Sequence, residues 1–205
     1  MKYPILSEKS TYTFSDYFKL VDYRDEILEH FGYSFHKKNE ELPRFSNELS
    51  HLNELKICLE RNINYISMIN EAAKREFIIA PILMDIIDYT QTKIRVEFPL
   101  VVNNQLKGTL DYFLQSKNNL LVIEAKNSDL ERGFMQLAVE LIAIDKWTDS
   151  KTPLLYGVVS TGDIWRFGIL DRTTASITQD LNLFRVPADL DELLRVLIAI
   201  LSSEA

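Results

Sequence analysis

The chain has one cysteine, Cys58, three histidines, six glycines and six prolines in 205 residues. A single cysteine excludes an internal disulfide framework and any zinc site built on several thiolates, and it suits a reducing compartment. Glycine and proline this scarce exclude collagen-like and linker-dominated chains. The most apolar stretches, residues 77–84 and 193–201, fall well short of the roughly 18 uninterrupted apolar residues of a membrane span. Residues 1–10 show neither a basic region ahead of an apolar run nor a small-residue cleavage site, so the expected location is the cytoplasm, with no membrane partner. GxGxxG, Walker A, HExxH and GxSxG patterns are missing. His30, His36 and His51 all precede the segment with α/β character, which argues against a His-based triad or a His-rich metal centre.

Positive charge is also in deficit. Lys and Arg number 23 against 30 Asp and Glu, a formal charge of −7. This argues against a protein that coats polyanions without regard to sequence. At 46% hydrophobic and 26% charged, the composition is that of an ordinary globular domain, not a disordered chain.

Residues 1–64 read as a helical extension, and residues 65–205 as the core domain. In the extension, Thr13 or Ser15 is positioned to cap a helix that Gly32 ends. A loop carries His36, Lys37, Lys38 and Pro43, and a second helix covers about 47–62. Over 65–89, Ile66, Ile69, Ala73, Phe77, Ala80, Met84 and Ile87 recur at steps of three and four and predict one apolar helical stripe. Pro81 should kink or break that helix. At 100° per residue Glu76 lies at the edge of the stripe and Glu71 on its far side.

The period then changes. Strands are predicted over 93–102, 108–115 and 120–126, with turns at 103–104 and 117–119, followed by a helix over 130–147. Strands over 154–160 and 164–170 and a helix over 190–202 complete an α/β core with a mixed sheet.

One constellation carries chemistry. Asp111 lies in the second of these strands, and the third ends Glu124-Ala125-Lys126 after a Leu-Leu-Val-Ile run. Strand alternation sends Glu124 and Lys126 to one side, and a hairpin brings Asp111 beside Glu124. Charges that follow four apolar residues must be paired or ligated. Two adjacent carboxylates repel, and a divalent cation relieves that repulsion. Asp111, Glu124 and the Ala125 carbonyl are therefore candidate ligands for Mg²⁺. Lys126 is the candidate to orient or help deprotonate a water and to stabilise charge on a phosphorane-like transition state.

Asp111…Glu124-Ala125-Lys126 resembles the D…(D/E)xK signature of the PD-(D/E)xK nuclease superfamily, whose restriction-endonuclease-like core is αβββαβ. Leu110 stands where the signature's name has proline. The chain also resembles a group of small bacterial and cyanobacterial proteins of that type. The residues carrying this likeness are Arg-Glu-Phe-Ile-Ile-Ala-Pro at 75–81, Val-Ile-Glu-Ala-Lys-Asn at 122–127, Gly-Phe-Met-Gln-Leu at 133–137, and the Tyr156 to Phe167 segment.

The resemblance implies a Mg²⁺-dependent nuclease, with Mn²⁺ as a substitute, hydrolysing phosphodiester bonds of DNA. Asp111, Glu124, Lys126 and Gln136 would be its catalytic set, Glu76 an added metal ligand on the first core helix and Glu71 the other acid there. It also allows a homodimer. The alternative is a catalytically silent nuclease-like fold acting as a nucleic-acid-binding or protein-interaction module. Trp165 and Phe167 read as core packing, and Lys37, Lys38, Lys74, Arg75, Lys93, Arg95, Lys107 and Arg132 as the basic side chains available to a cleft.

Overall fold

A computed structural model describes residues 6, 10–116 and 120–202; the turn expected at 117–119 lies outside them. The elements are α1 (Phe14–Tyr17), a 3₁₀ turn (Val21–Tyr23), α2 (Arg24–Phe31), β1 (Ser34–Lys38), α3 (Leu52–Tyr65), α4 (Glu71–Lys74), a π turn (Arg75–Ile79) and α5 (Ala80–Thr90). They continue through β2 (Lys93–Val101), β3 (Lys107–Gln115), β4 (Leu120–Ala125), α6 (Leu130–Trp147), β5 (Leu154–Ser160), β6 (Ile164–Asp171), β7 (Ser176–Asp180), β8 (Phe184–Arg185) and α7 (Leu190–Ser202). The expected αβββαβ order is present, and the fold is mixed α/β.

The strands form one sheet in the order β1-β7-β6-β5-β4-β3-β2, with β8 paired to β6. β4 runs parallel to β5, and β1 parallel to β7; the other pairs are antiparallel. Apolar side chains cover both faces. On one, α6 packs with Phe14, Tyr17, Ile27 and Leu28 of the N-terminal helices over Phe113, Val122 and Val159. On the other, α3, α5, α7 and the π turn cover Tyr112, Ile123, Val158 and Phe167.

Helix α6 is buried at every position from Gly133 to Ile144, and glycines set how closely it approaches the sheet. A Cβ at Gly157 would stand 2.8 Å from Leu137 Cδ1, and one at Gly168 2.8 Å from Phe134 Cε2. On the helix itself, a Cβ at Gly133 would meet Val159 Cγ2 at 2.7 Å and Lys126 Cγ at 2.9 Å.

Expectations for the first 90 residues change, beginning with the helix expected up to Gly32, which is split into α1, the 3₁₀ turn and α2. The N-terminal segment is not purely helical: β1 joins the sheet edge in register with β7, Ser34 opposite Ser176 and Lys38 opposite Asp180. Ser-Phe-His-Lys-Lys lacks an alternating apolar pattern, and backbone pairing rather than burial makes it a strand. The first core helix also buries a different face. Ile69 is 80% exposed and Met84 62%, whereas Ile78, Ile79, Ile82, Leu83 and Ile86 are buried.

The helix begins at Glu71, capped by the Asn70 side chain, which accepts from Ala73 N at 2.8 Å. It continues without a break from α4 through the π turn into α5, so Pro81 does not end it. The ring nitrogen of Pro81 cannot bond the carbonyl of Phe77 four residues earlier. Asn62 Nδ2, from α3, donates to that oxygen at 2.9 Å instead, which accounts for a buried asparagine.

Trp165 and Phe167 are fully buried, and Trp165 Nε1 donates to Gly162 O at 2.7 Å. Among the described residues, no helix is long and apolar enough to cross a membrane. Because α6 has no room to retreat, Gly157→Ala is expected to destabilise the fold by about 1–3 kcal/mol through overpacking. Urea denaturation should show a lower midpoint with an unchanged slope.

Candidate active site

The site forms where β4 ends against the parallel strand β5. The β3–β4 register runs from Gln115–Leu120 to Tyr112–Ile123; at Asp111 the side chain takes over, its Oδ2 accepting from Ala125 N at 2.8 Å. The β2–β3 register likewise skips the Glu97–Asp111 pair, where Glu97 has a left-handed φ of 51°. Arg75, the first residue of the π turn, spans this gap. Its Nη2 lies 2.5 Å from Glu97 Oε1 and its Nη1 3.4 Å from Asp111 Oδ1.

Glu124 points to the α6 face. Its Oε1 accepts from Lys126 Nζ in a close ion pair and from Gln136 Nε2 at 2.6 Å. The same Gln136 nitrogen donates to Glu140 Oε1 at 2.9 Å. Lys126 is set by Lys126 N donating to Ser160 O at 2.8 Å and by Gly133, whose missing side chain leaves space for the lysine stem. Its Nζ lies 5.6 Å from the Phe18 ring centroid, and the Arg132 guanidinium 6.0 Å from the same ring.

Glu124 is 1% exposed and Glu140 fully buried. Burial, and then the charge of Asp111, push the Glu124 carboxyl up to about 7, against the counter-pull of Lys126 and a hydrogen bond with Glu140. Burial followed by the Glu124 charge raises Glu140 well above the usual carboxylate range. Glu124 Oε2 and Glu140 Oε2 are both buried without a hydrogen-bond donor. Asp111 is raised by burial, against the Ala125 amide and the charges of Arg75 and Lys126. For Lys126, burial pulls downward, but the Glu124 charge and hydrogen bond prevail and hold it above its ordinary value. The Glu124 pair thus favours the charged, hydrogen-bond-donating form of Lys126.

The structure therefore brings Asp111, Glu124, Lys126 and Gln136 together. Of the Ala125 backbone, the N–H engages Asp111. Glu76 does not join them: it is exposed on the π turn and is not among the principal charges acting on Asp111 or Glu124. Its phase was read from a stripe that the helix does not bury. Glu71, the alternative, lies at the start of α4 with intermediate exposure. Of the basic side chains, Lys74 Nζ donates to Asn127 O at 2.8 Å beside the site and Arg75 binds Asp111. Lys37 is committed to Glu131 and Lys38 to Glu40.

Sequence reasoning missed Glu140 and the role of Arg75. The available signal for Glu140 was its place four residues after Gln136, where the two are the only polar residues between Gly133 and Ile144.

The donor chemistry suits a hard divalent cation: the candidate ligands are all oxygens, with Glu124 Oε2 buried and lacking a hydrogen-bond donor. Among the described residues no group of three or more His, Cys, Asp or Glu is arranged to hold a metal. A cation here would rest on two carboxylates and complete its shell from water and ligand oxygens. Comparison with protein-family models, curated proteins and solved structures finds no match for this chain.

The raised carboxyl of Glu124 has a definite sign in stability. Its proton is held more tightly in the folded state, so its stabilising contribution is full below pH 4.5 and fades as pH rises through about 7. In EDTA, Glu124→Gln should gain stability relative to the parent by about 3 kcal/mol between pH 4.5 and 8. Parallel pH curves for the two proteins in denaturant titrations would contradict this assignment.

Proposed function

We propose that the chain is a metal-dependent nuclease of the PD-(D/E)xK type, hydrolysing phosphodiester bonds of DNA. The observation that supports it is the convergence of residues from β3, β4 and α6. Asp111 binds the backbone N–H between Glu124 and Lys126, and Gln136 binds Glu124 from the facing helix. The convergence lies at the C-terminal end of a parallel strand pair, where open α/β sheets place their ligands.

Asp111 and Glu124 would hold Mg²⁺, or Mn²⁺ in its place. The bound cation would supply Lewis acidity toward a phosphate oxygen and a more acidic water. The protein's own groups do the rest. Glu124 stays fixed between Lys126 and Gln136, so its second oxygen keeps one direction. Lys126, held protonated by Glu124 and Asp111, offers hydrogen bonds and positive charge to a phosphoryl group gaining negative charge. Asp111 is anchored through Ala125 N–H on one oxygen and faces Arg75 with the other, which orients its carboxylate.

One observation favours a second reading, that of a silent binding module. Arg75 already sits against Asp111 and could serve as its permanent counter-ion.

Cleavage assays on double-stranded DNA, single-stranded DNA and RNA separate the two readings. The nuclease reading expects cleavage in Mg²⁺ or Mn²⁺ that stops in EDTA. Asp111→Asn and Lys126→Ala should each lower the rate by at least about 100-fold. Equal activity in the purified variants, or none in the parent with either metal, would remove the nuclease assignment.

A further inference from the structure

We propose that Glu140 is a positioning residue of this site, fixing the amide of Gln136 and, through it, the orientation of the Glu124 carboxylate. The proposal deepens the nuclease reading and rests on it for its catalytic consequence, though not for its structural one.

Gln136 and Glu140 are four residues apart on α6 and so share one face of the helix. A side-chain amide has two N–H bonds to give. In Gln136 both acceptors are carboxylate oxygens, Glu124 Oε1 at 2.6 Å and Glu140 Oε1 at 2.9 Å. The terminal torsion of a glutamine is broad and weakly held by its own chemistry. A second acceptor on the far side of the nitrogen is what turns it into a fixed direction.

Local stability gives no reason for the carboxyl. Glu140 is fully buried in a run of twelve buried residues, Gly133 to Ile144, that is otherwise apolar apart from Gln136. An aliphatic side chain would fill the position without the penalty of burying a polar group. Among the described residues Glu140 forms no ion pair with a basic side chain; its partners are Gln136 and Glu124. The group thus sits behind two side chains of the candidate site, at the distance from which outer contacts orient metal-holding carboxylates.

Two substitutions separate positioning from simple packing. Glu140→Gln keeps an oxygen acceptor for Gln136, and Glu140→Met keeps the volume without one. With Mg²⁺ and DNA, Glu140→Met is expected to lose about 10- to 100-fold in kcat at an unchanged KM, and Glu140→Gln to retain most of the parent rate. In the metal-free protein, the Gln136 side-chain NH₂ signals in a ¹H–¹⁵N spectrum should exchange slowly with water in the parent and Glu140→Gln. They should exchange at least tenfold faster in Glu140→Met, and thermal melting confirms that each variant is folded.

Parent-like kcat in Glu140→Met, or a loss of kcat with unaltered Gln136 exchange, would overturn the proposal. A parent that cleaves no nucleic acid removes the nuclease reading alone. The exchange measurement then still decides whether Glu140 fixes Gln136.

Discussion

Helix α6 lies against the sheet at a separation that side chains on Gly157 and Gly168 would forbid, and Gly133 brings the helix's own backbone down on β5. Everything at the candidate site follows from that approach. Gln136 and Glu140 reach Glu124 at hydrogen-bond distance because the helix axis is close, and the Lys126 stem runs through the space that Gly133 leaves open. The close approach also removes water from between helix and strand. Three polar side chains are then left in an interior where their interactions with one another outweigh those with solvent.

Such a cluster has few ways to be satisfied. One carboxylate, Asp111, is served by a backbone amide and Arg75. Glu124 has Lys126 and Gln136 on one oxygen and no donor on the other. Glu140 has the Gln136 amide on one oxygen and the same lack on the other. Protonation of one glutamate eases the repulsion between them without metal; within the proposed function a cation at Glu124 does the same. Metal affinity and proton affinity are then opposed at that carboxyl group, and raising the pH favours the metal.

Much of this arrangement is legible in the residues. The Leu-Leu-Val-Ile run ahead of Glu124 points to a buried strand, and Leu121, Val122 and Ile123 are buried; a hairpin between the second and third strands puts Asp111 beside Glu124. Asn127 to Asp129 before an apolar helix marked the start of α6, whose Asp129 side chain accepts from Arg132 N. What could not be read has physical causes. Residues 77–84 are an unbroken apolar run that supports two helical stripes equally well, and the π turn settles between them. The wrong stripe drew attention to Glu76 and away from Arg75. β1 and β7 carry too few apolar side chains to announce themselves, since their pairing is made by the backbone. In the sequence Glu140 is one acid in a helical stretch, and it is the burial of all its neighbours that gives it meaning.

The acidity of the chain takes on a local form at this site. With Glu140 protonated and Glu124 ionised, Asp111, Glu124 and Glu97 face Arg75 and Lys126, which leaves one negative charge. A divalent cation would make it one positive charge, the largest single electrostatic change available there. Lys74 at Asn127 and Arg132 over Phe18 flank the same region, whereas Lys37, Arg24 and Arg166 converge on Glu131 instead. The net charge of −7 argues against broad, sequence-independent holding of a polyanion. Attraction for phosphate, within the proposed function, therefore depends on the cation itself and is confined to within about 10 Å of it at moderate salt.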